Sequence, residues 1–124
     1  MKKKIKITII TGGAGRIGLN LAKYLISKKE KVVIADINKQ KLLKIKKEIN
    51  STRLETFCTD LSIKKNIDKL INFTLKKFGT IDSAVLCSYP TSKGWGAKIE
   101  NLEEKYLYED LQKQLGGTII FCQR

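Results

Sequence analysis

At 124 residues and 42% hydrophobic content, the chain is long enough to bury one core, and no apolar run is long enough to span a bilayer. It has no histidine, which removes Ser-His-Asp and Cys-His nucleophilic schemes and histidine-based metal sites; three widely spaced cysteines, Cys58, Cys87 and Cys122, set up neither a disulfide framework nor a zinc site. The formal net charge of +13 raises nucleic acid as a partner, yet the lysines are scattered over every predicted helix without interleaved aromatics, so weak, salt-sensitive polyanion binding is expected and no specific nucleic-acid site.

The start, MKKKIKITII, has the charged head and short apolar run of a signal peptide, but a glycine turn follows it in place of a small-residue cleavage site. It therefore reads as the first strand, and with the cysteine usage it points to a reducing cytoplasm. The turn is Thr11-Gly12-Gly13-Ala14-Gly15-Arg16-Ile17-Gly18, and it opens a helix with Ile17, Leu21, Leu25 and Ile26 on one side. A strand that ends in such a turn and feeds a helix offers backbone N–H groups and a positive dipole end, which suit a pyrophosphate. The second strand, Lys31 to Ala35, ends at Asp36, about 20 residues after the glycines, where a carboxylate can accept from the adenosine ribose hydroxyls. Dinucleotide binding is the reading; a plain turn, with Asp36 as a helix-start aspartate, is the alternative.

Leu42, Leu43, Ile45 and Ile49 give an amphipathic second helix over Lys39 to Asn50. Arg53 to Thr59 alternates as a third strand ending at Asp60, and Ser62 caps a helix that stops at Gly79. Ile81 to Cys87 makes the fourth strand, followed by a loop holding Pro90 and Trp95. The last stretch is helical by pattern from Leu102, with Leu107, Leu111 and Leu115 four apart; after Gly116-Gly117, the run Thr118 to Cys122 fits helix or strand. Strict alternation predicts an α/β fold, a three-layer αβα sandwich on a parallel sheet in one domain over residues 1–124.

With TGGAGRIG, Asp36, Asp60-Leu61, Phe78 to Asp82 and Leu115-Gly116-Gly117 in order, nearly the whole sequence resembles the short-chain dehydrogenase/reductase family. Tyr89-Pro90, Lys93, Gly94, Gly96 and Tyr108-Glu109-Asp110 resemble its branch linked with flagellin or surface-sugar modification. The resemblance implies a Rossmann-type sheet of order 3-2-1-4 and a phosphate turn of Thr11, Gly12, Gly15 and Gly18, with Arg16 and Ile17 beside it in the cofactor site. It also implies a ribose contact at Asp36 and adenine contacts at Asp60 and Leu61. A carboxylate at Asp36 repels a 2′-phosphate, so NAD is expected over NADP, a preference that Arg16 can soften.

The sequence departs from the family pattern in several places. Arg16 replaces the middle glycine of TGxxxGxG, giving TGxxGxxG; the family's Asn-Asn-Ala-Gly is Leu86-Cys87-Ser88-Tyr89; its catalytic asparagine aligns with Gln114. The catalytic Ser and Tyr-xxx-Lys pair belong to a part of the family that this sequence does not reach, so no catalytic residue and no metal ligand is assigned. Tyr24 to Lys28 has the Tyr-xxx-Lys spacing but lies on the first helix and reads as chance. The expectation is the cofactor-binding, N-terminal part of an oxidoreductase that moves hydride to or from a hydroxyl or carbonyl, with a sugar among the substrates considered, and that is inactive alone. Cut after the fourth strand and its helix, such a part exposes a strand edge and a leucine stripe, which implies association through the C-terminal helix. The alternative is a non-catalytic nucleotide-binding or interaction module that pairs with a full-length relative.

Overall fold

The computed structural model describes residues 4–124; the charged head of the predicted first strand, residues 1–3, lies outside them. Four strands, β1 (Ile7–Thr11), β2 (Lys31–Asp36), β3 (Leu54–Cys58) and β4 (Ser83–Leu86), form a parallel sheet in the expected order β3-β2-β1-β4. The register pairs Ile9 with Val33 and Ala84, so the central strands are β1 and β2. All five residues of β1 and the middle four of β2 are buried, as expected of parallel strands covered on both faces.

Alternation along the strands separates two cores. On one face Ile10, Val32, Ile34 and Leu54 pack with Ala22 of α1 (Arg16–Ser27) and with Leu42 and Ile45 of α2 (Lys39–Ile49). On the other, Ile9, Val33 and Ala35 pack with Ile67 and Leu70 of α3 (Lys64–Phe78) and with Phe121 of the C-terminal helix. Each fully buried Ile or Leu contributes about 1.5–3 kcal/mol by leaving water.

Local chemistry sets most boundaries. Asn38 caps α2 by accepting the Lys41 N–H at 2.9 Å, and Gly79 ends α3 at φ +82°. Ser62 does not cap α3, against the sequence expectation: its N–H and hydroxyl both go to Asp60 Oδ1, at 2.9 and 2.7 Å, which leaves Ile63 at the cap position without a side-chain bond. Ile17 also departs from the predicted apolar side of α1, being 75% exposed. The buried positions of that helix are Gly18, which lies against the Gly12–Gly13 turn, and Ala22, which packs on the sheet core.

The C-terminal segment is helical throughout. After a short 3₁₀ turn at Ile99–Asn101 come α4 (Glu104–Leu111), a π-helical stretch at Gln112–Gly116 and α5 (Gly117–Cys122), with right-handed helical backbone at each junction. The helix wins over a strand at Thr118 to Cys122 because consecutive Ile120 and Phe121 both pack on the Ile67–Leu70 core. In a strand they would face opposite sides. Leu107, Leu111, Leu115 and Ile119 stay exposed along this rod, and β4 pairs only with β1 among the described strands, leaving its other edge open.

Candidate functional site

The glycine turn is closed on itself. The Gly13, Ala14 and Gly15 N–H groups donate to Ala35 O at 3.2 Å, Asp36 Oδ2 at 3.1 Å and Gly12 O at 3.0 Å. The first N–H groups of a helix have no acceptor within it, and Gly15 at the cap of α1 has no side chain to supply one. The donors that face outward at this turn are therefore those opening α1, at Arg16, Ile17 and Gly18, and not the N–H groups of Gly13 to Gly15. The side chains of Arg16 and Ile17 stand in solvent at the start of the helix.

Three glycines of the turn are dictated by contact: a Cβ at Gly13 would lie 2.4 Å from Ile34 Cβ. Gly12 has φ +61°, and a Cβ there would lie 2.7 Å from Cys87 O and Ser88 N after β4. A Cβ at Gly18 would lie 2.7 Å from Gly12 O, so the third glycine of the motif lets helix and turn touch.

A cleft of about 320 Å³ opens at the carboxyl ends of the strands, where the chain leaves β1 for one side of the sheet and enters β4 on the other. This is the switch point at which open α/β sheets bind ligands. Of the residues singled out in the sequence, Thr11, Gly12, Gly15, Asp36, Asp60 and Leu61 line it; the side chains of Arg16 and Ile17, and Gly18, stand outside the lining. The opposite wall is built from Ser88, Tyr89 and Pro90 after β4 and from Lys113, Gln114, Gly117 and Phe121 of the C-terminal rod; of these, reading the sequence singles out Gln114, aligned with the family's catalytic asparagine, and misses the wall the others make with it. The four-residue spacing of 113, 117 and 121 was the signal available for that wall.

The charged groups in the lining are Asp36, Asp60 and Lys113. Asp36 Oδ1 accepts from the Asn38 N–H at 2.9 Å while Oδ2 holds Ala14, which leaves lone pairs on both oxygens for further donors. The Ser62 hydroxyl and N–H hold the Asp60 carboxyl below its ordinary value of 3.8. Glu109, whose Oε1 receives the Lys113 ammonium at 2.5 Å, pushes that lysine up, so it stays charged. Thr11 Oγ1 and Ser88 Oγ are bonded at 2.9 Å on the cleft floor. Gln114 Nε2 donates to Pro90 O at 3.2 Å and so ties the loop after β4 to the rod.

Tyr24 and Lys28 lie on α1 with the Lys28 ammonium 5.4 Å from the Tyr24 ring centroid, and neither lines the cleft. Among the described residues no cluster of His, Cys, Asp and Glu could hold a metal ion, and no helix is long and apolar enough to cross a membrane.

A family model described as short chain dehydrogenase matches residues 6–123. The chain is 34% identical over 123 residues to the post-translational flagellin modification protein A of Campylobacter coli, covering 95% of this chain and 48% of that protein. It is 32% identical to the 7alpha-hydroxysteroid dehydrogenase of Bacteroides fragilis, covering 95% and 46%. Among solved structures, a 3-ketoacyl-(acyl-carrier-protein) reductase from Brucella melitensis complexed with NADH superposes with a TM-score of 0.82 at 24% identity, over 95% of this chain and 48% of that one. The chain thus spans about half the length of the proteins it matches.

Proposed function

Because the chain belongs to the short chain dehydrogenase family, whose members bind a nicotinamide dinucleotide, we propose that its cleft holds the adenosine half of NAD, in preference to NADP. In this reading residues 1–124 are a partial dinucleotide-binding domain, and the whole protein is an oxidoreductase acting on a hydroxyl or carbonyl carbon. The observation that carries it is the Asp36 carboxylate, fixed to the glycine turn through Ala14 and still able to accept. Two ribose hydroxyls suit such an acceptor, whereas a 2′-phosphate beside it is repelled.

The residues fit the cofactor in kind. The opening N–H groups of α1 meet the pyrophosphate, Asp36 orients the ribose, and Asp60 with Leu61 takes the adenine edge. Bound NAD supplies a hydride acceptor, and its reduced form a donor. We place no catalytic group in this chain and expect it to bind cofactor without turnover.

A second reading, as a module pairing with another copy or with a longer relative, is favoured by the exposed Leu107, Leu111, Leu115 and Ile119 stripe. Sedimentation of the wild type and a Leu115→Lys variant tests it: a lighter species in the variant supports pairing through the rod, and equal masses oppose it.

Calorimetric titration with NAD and NADP tests the first reading. Tighter binding of NAD that weakens about tenfold or more in Asp36→Ala is expected. Folded protein that binds neither dinucleotide overturns it.

A further inference from the structure

Lysines that lie scattered along the sequence are gathered by the fold. In a parallel sheet with crossover helices, strands start and helices end at one pole, here the pole opposite the cleft. Lys28 and Lys29 follow α1, Lys46 and Lys47 close α2, and Lys76 and Lys77 close α3. Basic residues at helix ends are ordinary, because they offset the negative end of the dipole. The strands have no such need, yet Lys4 and Lys6 lead into β1, Lys31 begins β2 and Arg53 leads into β3.

Contacts join these groups into one surface. The Arg53 guanidinium donates to Lys29 O at 2.6 Å, and the Lys31 N–H donates to Lys6 O at 3.0 Å. The Lys31 ammonium lies 4.9 Å from the ring centroid of Phe78, the residue after Lys77. Among the described residues, the cations of this surface that pair with a carboxylate are Lys4, with Asp82, and Lys46 and Lys77, both with Glu55. Glu30 is buried here and accepts the Lys6 N–H. The remaining cations repel one another, and an anion that spans them relieves the repulsion. Tyr24, in the last turn of α1, stands 58% exposed beside them, with the Lys28 ammonium 5.4 Å from its ring centroid.

We infer that this pole binds the phosphate backbone of single-stranded nucleic acid, at a site separate from the cleft, with Tyr24 as a stacking platform for a base. Every cation on it except Arg53 is a lysine, a compact charge that suits phosphate, whereas protein interfaces deplete lysine and favour arginine. The surface consists of helix ends and strand starts, so it offers no helix or ribbon to enter a duplex groove. Its other exposed large apolar side chains, Ile5 and Leu75, sit on separate elements, unlike the continuous apolar face by which a helix lies in a membrane surface.

Fluorescence anisotropy with a labelled oligothymidylate of about 20 nucleotides, repeated from about 50 to 200 mM salt, tests the inference. Two triple variants of equal net charge are compared: Lys28→Gln/Lys47→Gln/Lys76→Gln at the pole, and Lys39→Gln/Lys64→Gln/Lys65→Gln at the helix starts. Circular dichroism checks that both are folded. The pole variant should bind about tenfold or more weakly at the lower salt and lose about 2 from the log–log salt slope, while the other triple stays near the wild type. Tyr24→Ser should weaken binding about tenfold with the slope kept. Saturating NAD should leave the strand bound, whether or not the cleft takes the cofactor. Absence of binding, equal losses in the two triples, an unaffected Tyr24→Ser, or displacement of the strand by NAD overturns the inference. Tighter binding to phosphatidylglycerol vesicles or to polyglutamate also overturns it, by giving the pole to a membrane or to an acidic protein.

Discussion

The Asp36 carboxylate at the end of β2 accepts the Ala14 N–H in the turn after β1, at 3.1 Å and across 22 positions of chain. In the proposed cofactor reading, one residue therefore serves both the ligand and the turn that shapes the site. Replacing it separates the two roles. Asp36→Asn keeps an acceptor oxygen for Ala14 or Asn38 and should lose about 1 kcal/mol of stability, while Asp36→Ala strands both N–H groups and should lose about 2 kcal/mol. Urea melts give the stability order, and NAD titration should rank wild type above Asn above Ala.

The glycines divide by what surrounds them. Gly12→Ala forces a side chain into φ +61° and against the chain after β4, and should destabilise by about 2 kcal/mol or more. Gly116→Ala meets nothing within 4 Å in a helical backbone and should stabilise by about 1 kcal/mol. Thermal melts of the two variants should move in opposite directions, and a shared direction would contradict this account.

Much of this was legible in the sequence because short-range chemistry and long-range packing agree there. The glycine turn, Asp36 and Gly79 needed only period, spacing and caps, while the strand order came with the family resemblance. Ser62 misled because a cap competes with any nearer acceptor, and Asp60, two residues back, took both its donors. Ile17 misled because hydrophobicity marks α1's apolar residues, whereas close approach to the turn and the sheet core selects its smallest, Gly18 and Ala22. The far wall of the cleft was hidden for a different reason: it joins the loop after β4 to the C-terminal rod through contacts such as Gln114 to Pro90, 24 positions apart.

Acid stability should depend on Asp82. The Lys4 ammonium first, and then the Ile7 N–H, hold its carboxyl below the ordinary 3.8. A lowered carboxyl pKa stabilises the fold fully above the unfolded value, and the contribution fades as pH falls below about 4 through the folded value. Urea midpoints measured from neutral pH downward should fall more steeply for the wild type than for Asp82→Asn, which lacks the titrating group. Parallel curves would remove Asp82 from the account.

Asp110→Ala should leave the Ser92 N–H and hydroxyl buried without their partner, at a cost of about 2–3 kcal/mol. Amide exchange should quicken across residues 90–96 while β1 and β2 keep their protection, since Ser92 and Asp110 bond each other and Gly94, not either strand. Uniform acceleration would mean that the loop and the sheet open together.

The closed glycine turn has a kinetic meaning. Its inward N–H groups already have partners within the chain, so the geometry that an incoming phosphate would meet is set beforehand. No loop has to order itself, and little conformational entropy is lost on docking. Association with a dinucleotide should then follow a single exponential whose rate rises linearly with ligand concentration, without the plateau that a slow rearrangement imposes.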